Sequence, residues 1–112
     1  MKKSKDNYLD KIPILNEKIS WNADENGLLT LKIENKGVFN RIAQKFFKKP
    51  KFSYVHLDEN GSFIWQLIDS KRTVFDIAAL VDAHFGEKAH PLYERLIKYL
   101  EILASYNFIE LK

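Results

Sequence analysis

The chain contains no cysteine. That absence removes a disulfide framework, a thiolate zinc site, an iron–sulfur cluster and a cysteine nucleophile together, and it makes a reducing, cytoplasmic setting the default expectation. Long apolar runs are also missing, so no segment can span a bilayer. The basic start, Met1-Lys2-Lys3-Ser4-Lys5, is followed by Asp6, Asp10 and Lys11 where a signal peptide needs an apolar core. Histidines are few: His56, His84 and His90 form no H-E-x-x-H pair, and no acidic residue stands at metal-ligand spacing around any two of them. Ser4, Ser20, Ser53, Ser62, Ser70 and Ser105 lack a nucleophile-elbow or triad context, and no glycine-rich loop follows a strand. The expectation is a protein that is not an enzyme, with no metal and no cofactor. Acidic residues are absent between Glu34 and Asp58, where Lys36, Arg41, Lys45, Lys48, Lys49, Lys51 and His56 all lie. The net charge of +3 and the pI near 9.0 therefore reflect a local excess.

With 112 residues, 46% of them hydrophobic, the chain can fill one core but not two comfortable ones. Residues 1–17 lack a sustained period and contain Pro13, which reads as a flexible N-terminal tail with an extended lead-in. Residues 18–112 read as a single domain. Ile19, Trp21 and Ala23 alternate with polar residues, and the alternation resumes at Leu29, Leu31 and Ile33 after Asn26-Gly27, a hairpin signal. Residues 52–57 form a third strand, apolar through Val55 and Leu57 on one side and aromatic through Phe52, Tyr54 and His56 on the other, with reason to be covered on both faces. Between the last two strands, Val38, Phe39, Ile42, Phe46 and Phe47 make a rough helical stripe beside the cations, which predicts a short basic amphipathic helix stopped before Pro50.

The second half is organised around residues 57–74. Asp58 can cap a helix running towards Asp69, with Phe63, Ile64, Leu67 and Ile68 on one face. Asn60-Gly61-Ser62 matches a glycosylation sequon, but Asn60 is needed at the helix start. Thr73-Val74-Phe75-Asp76 repeats the capping device with Asp in place of Glu. Trp65 and Trp21 read as core or half-core aromatics, and His84 as an imidazole near helix carbonyls. Gly86 offers a C-cap, and Pro91 a first-turn residue for a last helix ending near Tyr106. On that helix Glu94, Lys98, Glu101 and Ser105 form a narrow polar stripe opposite Leu92, Leu96 and Leu103. Tyr93, Ile97, Leu100 and Ala104 flank the apolar row on one side, and Arg95, Tyr99, Ile102 and Tyr106 on the other. So wide an apolar arc is buried on two sides or keeps one flank open for a ligand. Ile109 and Leu111 close the chain as an extended tail.

The run L-D-x-x-G-S-x-I-W-x-x-I-D-x-x-R-T-V, continued by Asp76-Ile77 and by Phe85-Gly86, resembles the PqqD-like family, small peptide-binding proteins of ribosomal peptide modification. The resemblance covers residue 57 onwards well and the first half by pattern; Ser70 stands where the family usually has Gly. It implies an α+β, winged-helix-like fold, with an N-terminal three-stranded antiparallel sheet followed by a three-helix bundle. It also makes residues 36–51 a basic insertion, since small members join these strands by a short turn.

The implied function is a non-catalytic module that takes the leader of a precursor peptide by strand addition and presents it to a modifying enzyme, commonly a radical S-adenosylmethionine enzyme. Phe52, Ser53, Tyr54, Val55 and His56 would be the receiving strand, and Arg95, Leu96, Tyr99 and Leu100 the groove beside it. Arg41, Lys45, Lys48 and Lys49 of the insertion would meet a protein partner. The protein itself would be a monomer or weak dimer. A winged-helix DNA-binding protein is the alternative, weakened because Glu94 and Glu101 would repel phosphate. Membrane-surface attachment through residues 36–51 rests on composition alone. The reading leaves nucleic acid out of the expected partners and argues against a membrane.

Overall fold

The computed structural model describes residues 8–34 and 52–112. In chain order these form strands β1 (Pro13–Leu15), β2 (Ser20–Ala23), β3 (Leu29–Glu34) and β4 (Phe52–His56), then helices α1 (Glu59–Leu67) and α2 (Val74–Phe85), a tight 3-10 turn (Gly86–Ala89), helix α3 (Leu92–Ser105) and strand β5 (Ile109–Leu111). The fold is α+β, and every strand pair is antiparallel. The helix expected within residues 36–51 lies outside the described residues. Two compact units emerge, Glu17–Ser62 and the described residues before Glu17 together with Phe63–Lys112.

The Glu17–Ser62 unit is built on a three-stranded sheet in the order β2-β3-β4. Its hairpin forms because Asp24 Oδ1 accepts the backbone N–H of Asn26 (2.8 Å) and of Leu28 (2.9 Å), while Gly27 takes φ +81°, a conformation that costs glycine little. Leu29 and Leu31 turn to the buried side. Trp21, expected in or near the core, pairs with Leu31 yet stays 40% exposed; among the described residues it sits on an outermost strand of its sheet.

The start of α1 is held from two directions. Asp58 Oδ1 accepts the Gly61 N–H at 2.7 Å, the expected cap. The buried Ser62 hydroxyl accepts the Leu29 N–H at 2.9 Å and donates to the Leu57 carbonyl at 3.4 Å. A buried hydroxyl is tolerated because both of its capacities are used.

In the other unit the buried side chains include Ile64, Trp65, Ile68, Val74, Ile77, Ala78, Val81, Leu96, Leu100, Leu103 and Ile109. Burying each of the larger ones contributes about 1.5–3 kcal/mol. After α1 the chain reverses over Asp69, whose carboxylate accepts the backbone N–H of Lys71 (2.9 Å) and Arg72 (2.8 Å). These donors, the Arg72 N–H foremost, hold the Asp69 carboxyl below the usual carboxylate range. Arg72 closes the turn with Nη1 3.3 Å from Asp69 and 3.1 Å from the Leu67 carbonyl. Ser70 keeps the left-handed conformation that a glycine would supply, at φ +63°, and its hydroxyl accepts the Leu15 N–H at 3.2 Å.

Helix α2 opens with the reciprocal capping box, Asp76 N–H to Thr73 Oγ1 and Thr73 N–H to Asp76 Oδ2, both 3.1 Å. It closes on Gly86, whose N–H reaches the Asp82 carbonyl. His84 lies in the last turn of α2, as expected, and its ring also stacks on Phe63 with centroids 4.1 Å apart. Pro91 stands at the N-cap of α3, one position before its expected place, and its carbonyl accepts the Arg95 N–H at 3.1 Å. Asn107 ends α3 at φ +63°, with bonds from Asn107 N–H to the Ala104 carbonyl and from Phe108 N–H to the Leu103 carbonyl, both 3.0 Å. This is a Schellman closure with Asn in place of Gly.

The segment expected as a tail is structured from Tyr8 onwards. Tyr8 is only 4% exposed, the Lys11 carbonyl accepts the Val74 N–H at 2.8 Å, and β1 pairs with β5 in the register Pro13↔Leu111, Ile14↔Glu110, Leu15↔Ile109. Two stretches that look unpaired in the sequence thus satisfy one another's backbone groups.

Candidate functional site

Strand β4 is the terminal strand of its sheet among the described residues. Its register with β3 pairs Thr30↔His56, Leu31↔Val55, Lys32↔Tyr54, Ile33↔Ser53 and Glu34↔Phe52. The Leu57 N–H bonds the Leu29 carbonyl at 2.8 Å, which fixes the phase of the ladder. Bonded and non-bonded pairs alternate along an antiparallel pair, so Val55 faces β3 with its backbone groups, whereas Tyr54 and His56 direct theirs away from the sheet.

The side chains alternate in the same way. Ser53 and Val55 share a face with Leu31 and are half-buried, whereas Tyr54 and His56 lie on the Thr30–Lys32 face and are exposed, Tyr54 at 58%. The expectation that β4 is covered on both faces is therefore corrected: its aromatic side is open at Tyr54 and His56, because the described elements bury only the Leu29–Leu31 side of the sheet. Two contacts order the open face. Lys32 Nζ lies 4.2 Å from the centroid of the Phe52 ring, and Thr30 Oγ1 is hydrogen-bonded to His56 Nδ1 at 2.9 Å. Lys32 and Thr30 were not among the residues singled out from sequence. Alternation shows that both lie on one face of β3, but which β4 residue each stands opposite is set by a pairing across residues 35–51, which carries no local signal.

The four residues expected from the last helix all lie on α3, in the other unit. Leu96 and Leu100 are buried and Tyr99 is half-buried. Arg95 is exposed and donates from Nη1 to the Lys88 carbonyl at 2.6 Å, tying α3 to the preceding turn. Of the two flanks of α3, the one with Leu100 turns inward. The other leaves Ile102 and Tyr106 in solvent, with the Tyr106 ring stacked on Phe108 at 5.5 Å. Arg41, Lys45, Lys48 and Lys49 lie outside the described residues. Among the described residues no group of three His, Cys, Asp or Glu could hold a metal ion, and no helix is long and apolar enough to cross a membrane.

The family model for coenzyme PQQ synthesis protein D (PqqD) matches residues 50–109. The chain belongs to the PqqD family. No curated protein and no solved structure matches it. The PqqD match takes in β4 and all three helices, so the candidate residues of β4 and α3 fall within it, while Arg41, Lys45, Lys48 and Lys49 precede it. The caps of α1 and α2, the Asp69 turn and Ser62 all lie within the span of this PqqD match.

Proposed function

We propose that this PqqD-family chain is a non-catalytic recognition module. It takes the leader of a ribosomally made precursor peptide as an added strand on β4 and presents it to a modifying enzyme of the radical S-adenosylmethionine kind. The observation that carries the reading is the terminal position of β4 with the Tyr54 and His56 backbone groups directed outward. An extended peptide satisfies those groups, and main-chain ladder bonds supply affinity while alternate side chains supply selectivity. The winged-helix-like arrangement, the groove bordered by Arg95 and Tyr99, and the contact of Arg41, Lys45, Lys48 and Lys49 with the leader or the enzyme belong to the same proposal. DNA binding has less support, because Glu94 and Glu101 are exposed on α3 beside Lys98 and carboxylates repel phosphate.

The test is a titration of the 15N-labelled full chain with the synthetic leader of a precursor encoded beside its gene. The Tyr54 and His56 amides should shift together with those of α3. Shifts confined to Gly27 and the β2–β3 hairpin would overturn the docking site.

A further inference from the structure

On the strand-addition reading, we infer that the open face of the β2-β3-β4 sheet is itself a selectivity surface, and that it selects an aromatic peptide side chain directly opposite Tyr54. The ladder phase dictates this placement. Tyr54 sits in a non-bonded pair with Lys32, so a strand added antiparallel to β4 meets it in a hydrogen-bonded pair, with the two side chains on the same face of the sheet. Directly opposed side chains stand with Cβ atoms about 5 Å apart. The peptide residue there therefore lies over whatever Tyr54 offers, and the residue two places along meets His56.

What Tyr54 offers is a ring surface. It is 58% exposed on a face where Lys32 stands across the strand with its ammonium 4.2 Å from the Phe52 ring centroid, and where the His56 ring is held by Thr30 at 2.9 Å. A cation opposite Tyr54 would add a second positive charge to a face that already carries Lys32 one strand further in. A carboxylate would have to draw Lys32 off Phe52 to be neutralised. An aromatic ring needs neither change and gains an edge or offset contact with Tyr54, the type of cross-strand pair that sheets reward. The alternate peptide positions point to the Val55 face and take no part in this selection.

The experiment uses a displayed library of random linear peptides, selected against the full wild-type chain and against Tyr54→Thr, a substitution that keeps strand propensity. Enriched peptides are resynthesised with each backbone N in turn methylated, and the thermal midpoint of Tyr54→Thr is checked against wild type. Wild-type selection should enrich peptides with one aromatic position, and replacing that residue by Ala should weaken binding by roughly threefold to tenfold. Against Tyr54→Thr the preference should vanish while N-methylation still weakens binding at every second position. Peptides with the alternating N-methyl pattern but no aromatic preference, or with a preference unchanged in Tyr54→Thr, overturn this inference and leave strand addition standing. Enriched peptides without the alternation, or no enrichment at all, overturn strand addition and this inference with it.

Discussion

Tyr8 shows how a single group can work against the fold that buries it. Among the described residues its hydroxyl has no hydrogen-bond partner, and burial, reinforced by the negative charge of Glu101, pushes its pKa up to about 12 from an ordinary 10.0. Below pH 10 the hydroxyl is neutral in both the folded and unfolded chain. Between about 10 and 12 only the unfolded chain ionises, so stability falls as pH rises through that window. Tyr8→Phe removes an unpaired polar atom, and we expect stability at pH 7 to be unchanged or to rise by about 1 kcal/mol. Urea unfolding at pH 9 and pH 11 should show a smaller alkaline loss in the variant; an equal loss would show that Tyr8 ionises in the folded chain as it does in water. Nothing in the local pattern hints at this role. The residue lies in a stretch without periodicity, and its burial depends on contacts made far along the chain.

Individual elements were far more legible than their partners. Caps announce themselves locally: Asp58, Thr73 with Asp76, and Gly86 each act through backbone groups only a few residues away, and each acts as its residue type and spacing imply. The faces of the candidate strand were legible from its alternation, whereas its register against β3 is set across residues 35–51 and was not. The exposure of Tyr54 and the burial of Leu96 and Leu100 were not, because they depend on which neighbours cover each face. The turn between α1 and α2 offers a test at this scale. Ser70 bears the left-handed cost, about 1–2 kcal/mol for a residue with a Cβ, and offsets part of it through the Leu15 bond, worth about 0.5–1.5 kcal/mol. Ser70→Gly relieves the first and loses the second, so its thermal midpoint should stay near wild type. Ser70→Ala keeps the cost and loses the bond, and its midpoint should fall by several degrees. If Ser70→Gly is the less stable of the two, both of which lack the hydroxyl, the left-handed cost assigned to Ser70 is wrong.

At the scale of the whole molecule, the division of the chain matters more than its composition predicts. Composition and length suggested one core preceded by a tail, whereas the described residues before Glu17 belong with those after Ser62. A chain starting at residue 17 loses the buried Tyr8, the fully buried Pro13 side chain, the Lys11–Val74 bond and the β1–β5 ladder. We expect its thermal midpoint to drop by roughly 10 °C or more; calorimetry showing an unchanged midpoint would reduce that segment to an ornament. The same pairing also orders events in time. A ribosome delivers residues 17–62 as one uninterrupted stretch, joined mainly by neighbouring strands and a hairpin, and such local contacts form fast. The Pro13↔Leu111 pair must instead close a loop nearly as long as the chain, at an entropic cost that grows with loop length. Strand β1 waits through the synthesis of all the residues between it and β5. Through that interval the nascent chain carries an extended apolar strand, Pro13–Leu15, that has no β-partner of its own yet.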